Sequence, residues 1–229
     1  MPTCLLAVDT ATEICGVATS IDGRVQAELM LSRGATHTRS VLSAIDTVLE
    51  NSGLTVGDLD AYAVSRGPGS FTGLRIGIST VKGLAFATGK PMVGISTLEV
   101  LAHQAAGNAY LVCPMMDARR KEVYWTLYRR TTEGMTAIME ERVGPATEIA
   151  EFTKEACQFI GNGVPPYRDA LQKQLTCSAQ WTPDELNHLR PTVLARLAWR
   201  RLQEGKTTDT RSFKPVYLRK SDAELQRKD

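Results

Sequence analysis

The sequence predicts an α/β protein made by internal duplication, two copies of a β-β-β-α-β-α unit. Three observations carry this. An apolar run, Cys4–Val8, ends in Asp9, and a second, Tyr110–Met116, ends in Asp117. Eight residues after each aspartate comes the middle of the next strand candidate, at Val17 and Trp125. The strand candidate before Gly67-Pro68-Gly69 has a counterpart before Gly161-Asn162-Gly163.

The elements follow in order. Cys4–Val8 is a continuous apolar run of strand length. Ile14–Ser20 and Val25–Leu31 are strands separated by the turn signal Ile21-Asp22-Gly23. The period then changes. From Thr38 to Asn51, Val41, Leu42, Ile45, Val48 and Leu49 recur at helical spacing, and Ser52-Gly53 ends that helix. Ala61–Ser65 is a strand running into the glycine turn, a long helical segment reaches Gly89, and Pro91–Ile95 is a fifth strand. The second half repeats the order less regularly. Strands are expected at Tyr110–Met116, Glu122–Tyr128, Met135–Glu140 and Cys157–Ile160, and a helix at Thr147–Ala156. Pro165-Pro166 opens a short helix and Pro191 a last one to about Glu204. Two such units facing each other describe the architecture of actin, the sugar kinases and the Hsp70 ATPase. The division expected is 1–104 for the first subdomain and 105–229 for a degenerate second one with a helical, basic tail.

Composition narrows the function classes. With 229 residues, 43% of them hydrophobic, a sizeable core can be buried. Net charge is only +2, which excludes a polyanion-binding protein as a whole. The charge is uneven, because residues 191–229 carry ten Lys/Arg against five Asp/Glu. Such a tail is a solvated helix face or an RNA contact. The five cysteines are scattered without a CxxC pair, so neither a zinc knuckle nor a redox motif is indicated, and a reducing cytoplasm is expected. The N-terminus lacks a signal-peptide pattern, and no apolar stretch approaches the ~20 residues that span a bilayer.

Asp9 and Thr10, between two strands, are weak candidates for a phosphate turn. As a plain hairpin they would bond to nearby backbone. Gly67-Pro68-Gly69-Ser70-Phe71-Thr72-Gly73 is neither a dinucleotide fingerprint nor a P-loop nor a GxSxG elbow, and Ser70 or Thr72 is expected to cap the next helix. That helix contains Gly73, Gly77 and Gly83, each costing about 1 kcal/mol relative to alanine. Gly73, Gly77, Thr80, Leu84 and Ala87 form one stripe of it. Such a stripe is packed inside its own domain or against another subunit. The three histidines do not cluster, and no metal ligands, catalytic set or cofactor site are predicted.

From Gly67 to Gly77, including Arg75, the sequence resembles the TsaB (YeaZ) family. Leu6-Ala7-Val8-Asp9-Thr10-Ala11-Thr12, His37-Thr38, Gly94-Ile95-Ser96-Thr97-Leu98, Asp117-Ala118-Arg119 with Glu122-Val123-Tyr124, and Pro215-Val216-Tyr217-Leu218-Arg219 extend the resemblance along the chain. It is strong before residue 130 and thin from about 135 to 205. The resemblance implies a cytoplasmic, non-catalytic subunit required for threonylcarbamoylation of adenosine 37 in tRNAs reading ANN codons. TsaD, the transferase, would be its heterodimer partner, TsaE, an ATPase, would join them, and tRNA would be met through the complex. TsaD carries a His-Leu-Glu-x-His metal segment, and Thr97 and Leu101 stand at the two histidine positions here. Pro165 and Pro166 likewise remove N–H donors from the second glycine turn. The partner interface expected from the resemblance lies on helices 38–51 and 73–88, at His37, Leu42, Ile45, Leu49, Gly73, Gly77, Thr80 and Leu84. The same surface would make a homodimer in the absence of TsaD. A metallopeptidase and an ATPase or kinase on the same fold are the alternative readings.

Overall fold

The computed structural model describes residues 2–32 and 37–219, with the side chains of 37–40 outside the described set. The chain divides into two units. Among the described residues, one holds those through Val100 with Arg190–Val216, the other Leu101–Leu189 with Tyr217–Arg219.

The first unit is built on a five-stranded sheet. Its strands are β1 (Cys4–Asp9), β2 (Ile14–Ile21), β3 (Arg24–Ser32), β4 (Ala61–Gly67) and β5 (Met92–Ser96), in the order β3-β2-β1-β4-β5. β1 pairs antiparallel with β2 and parallel with β4. The β2–β3 hairpin turns through Asp22 and Gly23, both left-handed, as its sequence predicts. α1 (His37–Asn51) and α2 (Phe71–Thr88) pack on the sheet and against each other. α2 is capped by Ser70, whose hydroxyl accepts from Gly73 N–H at 3.2 Å. A short α3 (Thr97–Gln104) follows β5, its first N–H groups bonded to Ser96 Oγ.

The second unit repeats the plan. Its strands are β6 (Leu111–Asp117), β7 (Glu122–Trp125), β8 (Tyr128–Thr131), β9 (Gly134–Ala137), β10 (Arg142–Pro145), β11 (Cys157–Ile160) and β12 (Ala179–Trp181). The order β10-β7-β6-β11-β12 mirrors the first sheet strand for strand, with the same antiparallel and parallel pairings. β8 and β9 form an added hairpin. Trp125, Phe159, Met115, Ile149 and Leu171 centre the core.

Several expectations change. The strand 122–128 breaks at Thr126-Leu127, where Thr126 Oγ1 donates to Met139 O and Leu127 O accepts from Ile138 N–H. The helix expected at 147–156 shrinks to α4 (Ile149–Phe152), because Thr153 turns to extended backbone and bonds Ile149 O through both its N–H and its hydroxyl. α5 (Val164–Gln172) begins at the two prolines, and β10 and β12 were not expected.

The largest correction concerns α6 (Pro191–Gln203), assigned by sequence to the second subdomain. It covers the first sheet, contacting all five strands. Leu194, Ala195, Leu197 and Ala198 bury its apolar face, and Pro191 lies 3.1 Å from where a Cβ on Gly16 would stand. Both ends are anchored by charge. Arg190 pairs with Glu28, and Arg201 binds both Glu99 oxygens at 2.6 Å. Part of the basic tail is therefore consumed within this unit.

Candidate functional site

The glycine motif and the β1–β2 turn form one packed feature. Thr10 Oγ1 donates to Gly73 O at 2.7 Å, and Ser70 N–H donates to Ala11 O at 2.7 Å. A Cβ on Gly69 would overlap Ala11 O, one on Gly73 would overlap Thr10 O, and one on Gly77 would overlap Thr10 Oγ1. The glycines are there so that α2 can press onto the turn. A helix N-terminus is an anion site only while its N–H groups are open. Here the chain's own oxygens take the N–H groups of Ser70, Gly73 and Leu74. Asp9 is 1% exposed, and burial raises its carboxyl to about 6. Two effects oppose that rise, the Ala11 N–H and the hydroxyl of Ser65. The Ser65 hydroxyl has no hydrogen bond of ordinary geometry, yet it lies near enough to favour the anion.

The equivalent turn of the second unit is closed by different groups. Gly161 N–H donates to Asn187 Oδ1 at 2.9 Å, Gly163 N–H to Met115 O at 3.0 Å, and Val164 N–H to Gly161 O at 2.9 Å. Pro165 and Pro166 supply no N–H at all. The β6–β7 turn beside it is unlike its counterpart in the first unit. Arg119, Arg120 and Lys121 are exposed and successively left-handed, at φ 59, 53 and 64°. Each such non-glycine residue costs roughly 1–2 kcal/mol. The turn is clamped by Asp117 Oδ1, which accepts from Arg119 N–H at 2.8 Å and Tyr167 Oη at 3.0 Å. Arg219 completes the clamp, donating to Ala118 O at 2.8 Å and pairing with Glu122. The two second-half sequence motifs thus meet in one cluster.

The expected partner residues divide. Leu42 is 55% exposed on α1, whereas Ile45 and Leu49 are buried. His37 lies outside the described side chains. Gly73 and Gly77 are buried against Thr10, so packing inside the domain accounts for them, and Thr80 and Leu84 are half-buried. The outward stripe of α2 is instead Thr72, Arg75, Ser79, Gly83 and Phe86, at helical spacing. Phe86 is 81% exposed, and a Cβ on Gly83 would meet nothing within 4 Å. Arg75 stacks on Phe71 at 3.9 Å. The glycines of the stripe read from sequence face inward, and Phe86 among small residues is the sequence signal of the outward stripe. Thr97 and Leu101, on α3, are both buried. Among the described residues no three His, Cys, Asp or Glu side chains converge as metal ligands, and no helix is long and apolar enough to cross a membrane.

Residues 32–227 match the family described as TsaD: tRNA N6-adenosine threonylcarbamoyltransferase. The chain is 35% identical to the tRNA threonylcarbamoyladenosine biosynthesis protein TsaB of Escherichia coli K12 over 227 residues, 96% of each protein. The solved structure of YeaZ from Pseudomonas aeruginosa aligns with a TM-score of 0.81 at 30% identity, covering 94% of this chain and 100% of that one. At 11% identity and a TM-score of 0.51, the ROK hexokinase of Thermus thermophilus shares the fold, over 87% of this chain and 100% of that one. The duplicated actin-like ATPase architecture is the one the sequence predicts.

Proposed function

This chain belongs to the TsaB (YeaZ) family of tRNA threonylcarbamoyladenosine biosynthesis proteins, and from that premise we propose that it is the non-catalytic, activating subunit of the modifying complex. In this reading a TsaD-type transferase is its direct partner, TsaE joins the pair, and the threonylcarbamoyl group reaches adenosine 37 through the partner's chemistry. The observation that carries the reading is the closure of both glycine turns by the chain's own groups. Ser70, Ala11, Asn187, Met115 and two prolines stand where an active member of this fold would need open donors.

Docking is proposed through α1 and α2, by the outward residues Leu42, Ser79, Gly83 and Phe86, with Thr80 and Leu84 at the margin. Small residues let a partner's backbone approach closely, and Phe86 supplies a large apolar side chain to bury. A partner of the same fold would present a similar surface, so the face would also support a homodimer.

The test is depletion with nucleoside mass spectrometry. Loss of the chain should abolish threonylcarbamoyladenosine. Re-expressed Ser70→Ala, Thr72→Ala or Cys15→Ala variants should restore it. A single one of these that keeps the complex yet abolishes modification would give the chain a catalytic role.

A further inference from the structure

We infer that the β6–β7 turn, Arg119-Arg120-Lys121, is a direct contact for the phosphate backbone of RNA. The inference rests on the family's place in tRNA modification and not on the docking face. It goes beyond the proposal above, in which tRNA is met only through the partner.

Three contiguous cations stand exposed on one tight turn. The two carboxylates beside them are already engaged, Asp117 by Arg119 N–H and Tyr167 Oη, and Glu122 by Arg219. Arg119, Arg120, Lys121 and Arg219 outnumber the carboxylates Asp117 and Glu122, so these residues together carry a formal excess of positive charge. The conformation is held and not adaptive, since all three residues are left-handed and the turn is fastened at Asp117, Ala118 and Glu122. Such φ values favour Gly, Asn or Asp, yet the chain places Arg-Arg-Lys there. The corresponding turn of the first unit, Thr10-Ala11-Thr12-Glu13, carries no cation, and α2 packs over its first residues.

The shape selects the ligand. A free nucleotide wants a concave site with open N–H donors, and the neighbouring donors of Gly161, Gly163 and Val164 are all spent. A convex cationic turn suits an extended polyanion, whose phosphates fix position without reading sequence.

The experiment uses the full chain, alone and bound to its transferase partner, with a fluorescent unmodified tRNA transcript followed by anisotropy from 50 to 250 mM KCl. The variant is Arg119→Asn/Arg120→Asn/Lys121→Asn, which removes charge with a residue suited to left-handed backbone. We expect it to fold with equal or higher Tm, to keep the partner, and to bind tRNA about ten- to a hundredfold more weakly at 0.15 M salt. Its slope of log K against log[KCl] should be shallower by about 2–3. Identical tRNA binding and slope in both settings would overturn the inference. Displacement of tRNA by millimolar ATP at matched ionic strength would assign the turn to a nucleotide, and loss of the partner with tRNA binding intact would assign it to an acidic protein. Either result refutes the RNA contact. A Phe86→Glu variant of the isolated chain should still bind tRNA, which separates failure here from failure of the docking proposal.

Discussion

Phe86→Ala tests the docking face most directly. Phe86 is 81% exposed on α2, so the first unit gains little from it. Substituting a side chain so exposed should change folding free energy by no more than about 0.5 kcal/mol. If a partner covers the ring, burial is worth about 1.5–3 kcal/mol, and truncation should weaken the complex by about ten- to a hundredfold. Calorimetric titration against a TsaD-type partner measures the second quantity and urea denaturation the first. Sedimentation of Phe86→Glu reports whether a homodimer uses the same face. Gly77→Leu is the contrasting variant. Its side chain would meet the Thr10 hydroxyl that bonds Gly73 O, so the cost, at least about 1–3 kcal/mol, should fall on folding. Unchanged affinity in a well-folded Phe86→Ala would put the interface elsewhere. A Gly77→Leu variant as stable as the wild type would refute the internal role of that glycine.

Two further outcomes follow from buried charge. Asp9 has a folded pKa near 6, above the ordinary 3.8, so its protonated form favours folding. Its contribution is full below pH 4, declines as pH rises to 6, and is absent above. Asp9→Asn should remove that slope and gain about 3 kcal/mol at pH 7, read from urea midpoints at pH 4 and 7. Arg201→Ala should destabilise the first unit by about 1–3 kcal/mol, because it removes the bonds to both Glu99 oxygens and to Gly94 O together, and the loss should appear in thermal unfolding.

Much of the fold was legible because the signals are local. The run Cys4–Val8, the Asp22-Gly23 hairpin and the helical spacing of apolar residues in α1 each announce their element within a few residues. What the sequence hid is non-local. Gly73 and Gly77 form a small-residue stripe whichever neighbour they serve, and only the fold brings Thr10, 63 residues from Gly73, against them. The place of α6 was hidden for the same reason, since its anchors Glu28 and Glu99 lie far from it in sequence. β10 and β12 have four and three residues and little apolar pattern, too short for a period to register. The Arg119–Lys121 turn was visible as charge, but its left-handed backbone was not.

Closing the glycine turns is also a requirement of folding without a ligand. N–H groups at a phosphate turn are satisfied by the phosphate when one is bound. A chain that binds none must satisfy them itself, because each buried unpaired donor costs about 1–3 kcal/mol. In the second unit Asn187, 2% exposed, does this for Gly161 while its amide donates to Thr182 O at 3.2 Å. Asn187→Ala strands both groups. It should destabilise the protein by about 1–3 kcal/mol in urea unfolding, with faster hydrogen exchange at the Gly161 amide. Inorganic phosphate at tens of millimolar should recover part of the loss if the turn still has the geometry of an anion site. Absence of recovery, with the destabilisation present, would mean that Pro165 and Pro166, with the bonds already made by Gly163 and Val164 N–H, are enough to exclude phosphate. A change below about 0.5 kcal/mol would show that water replaces Asn187, and that closure of this turn is incidental to the fold.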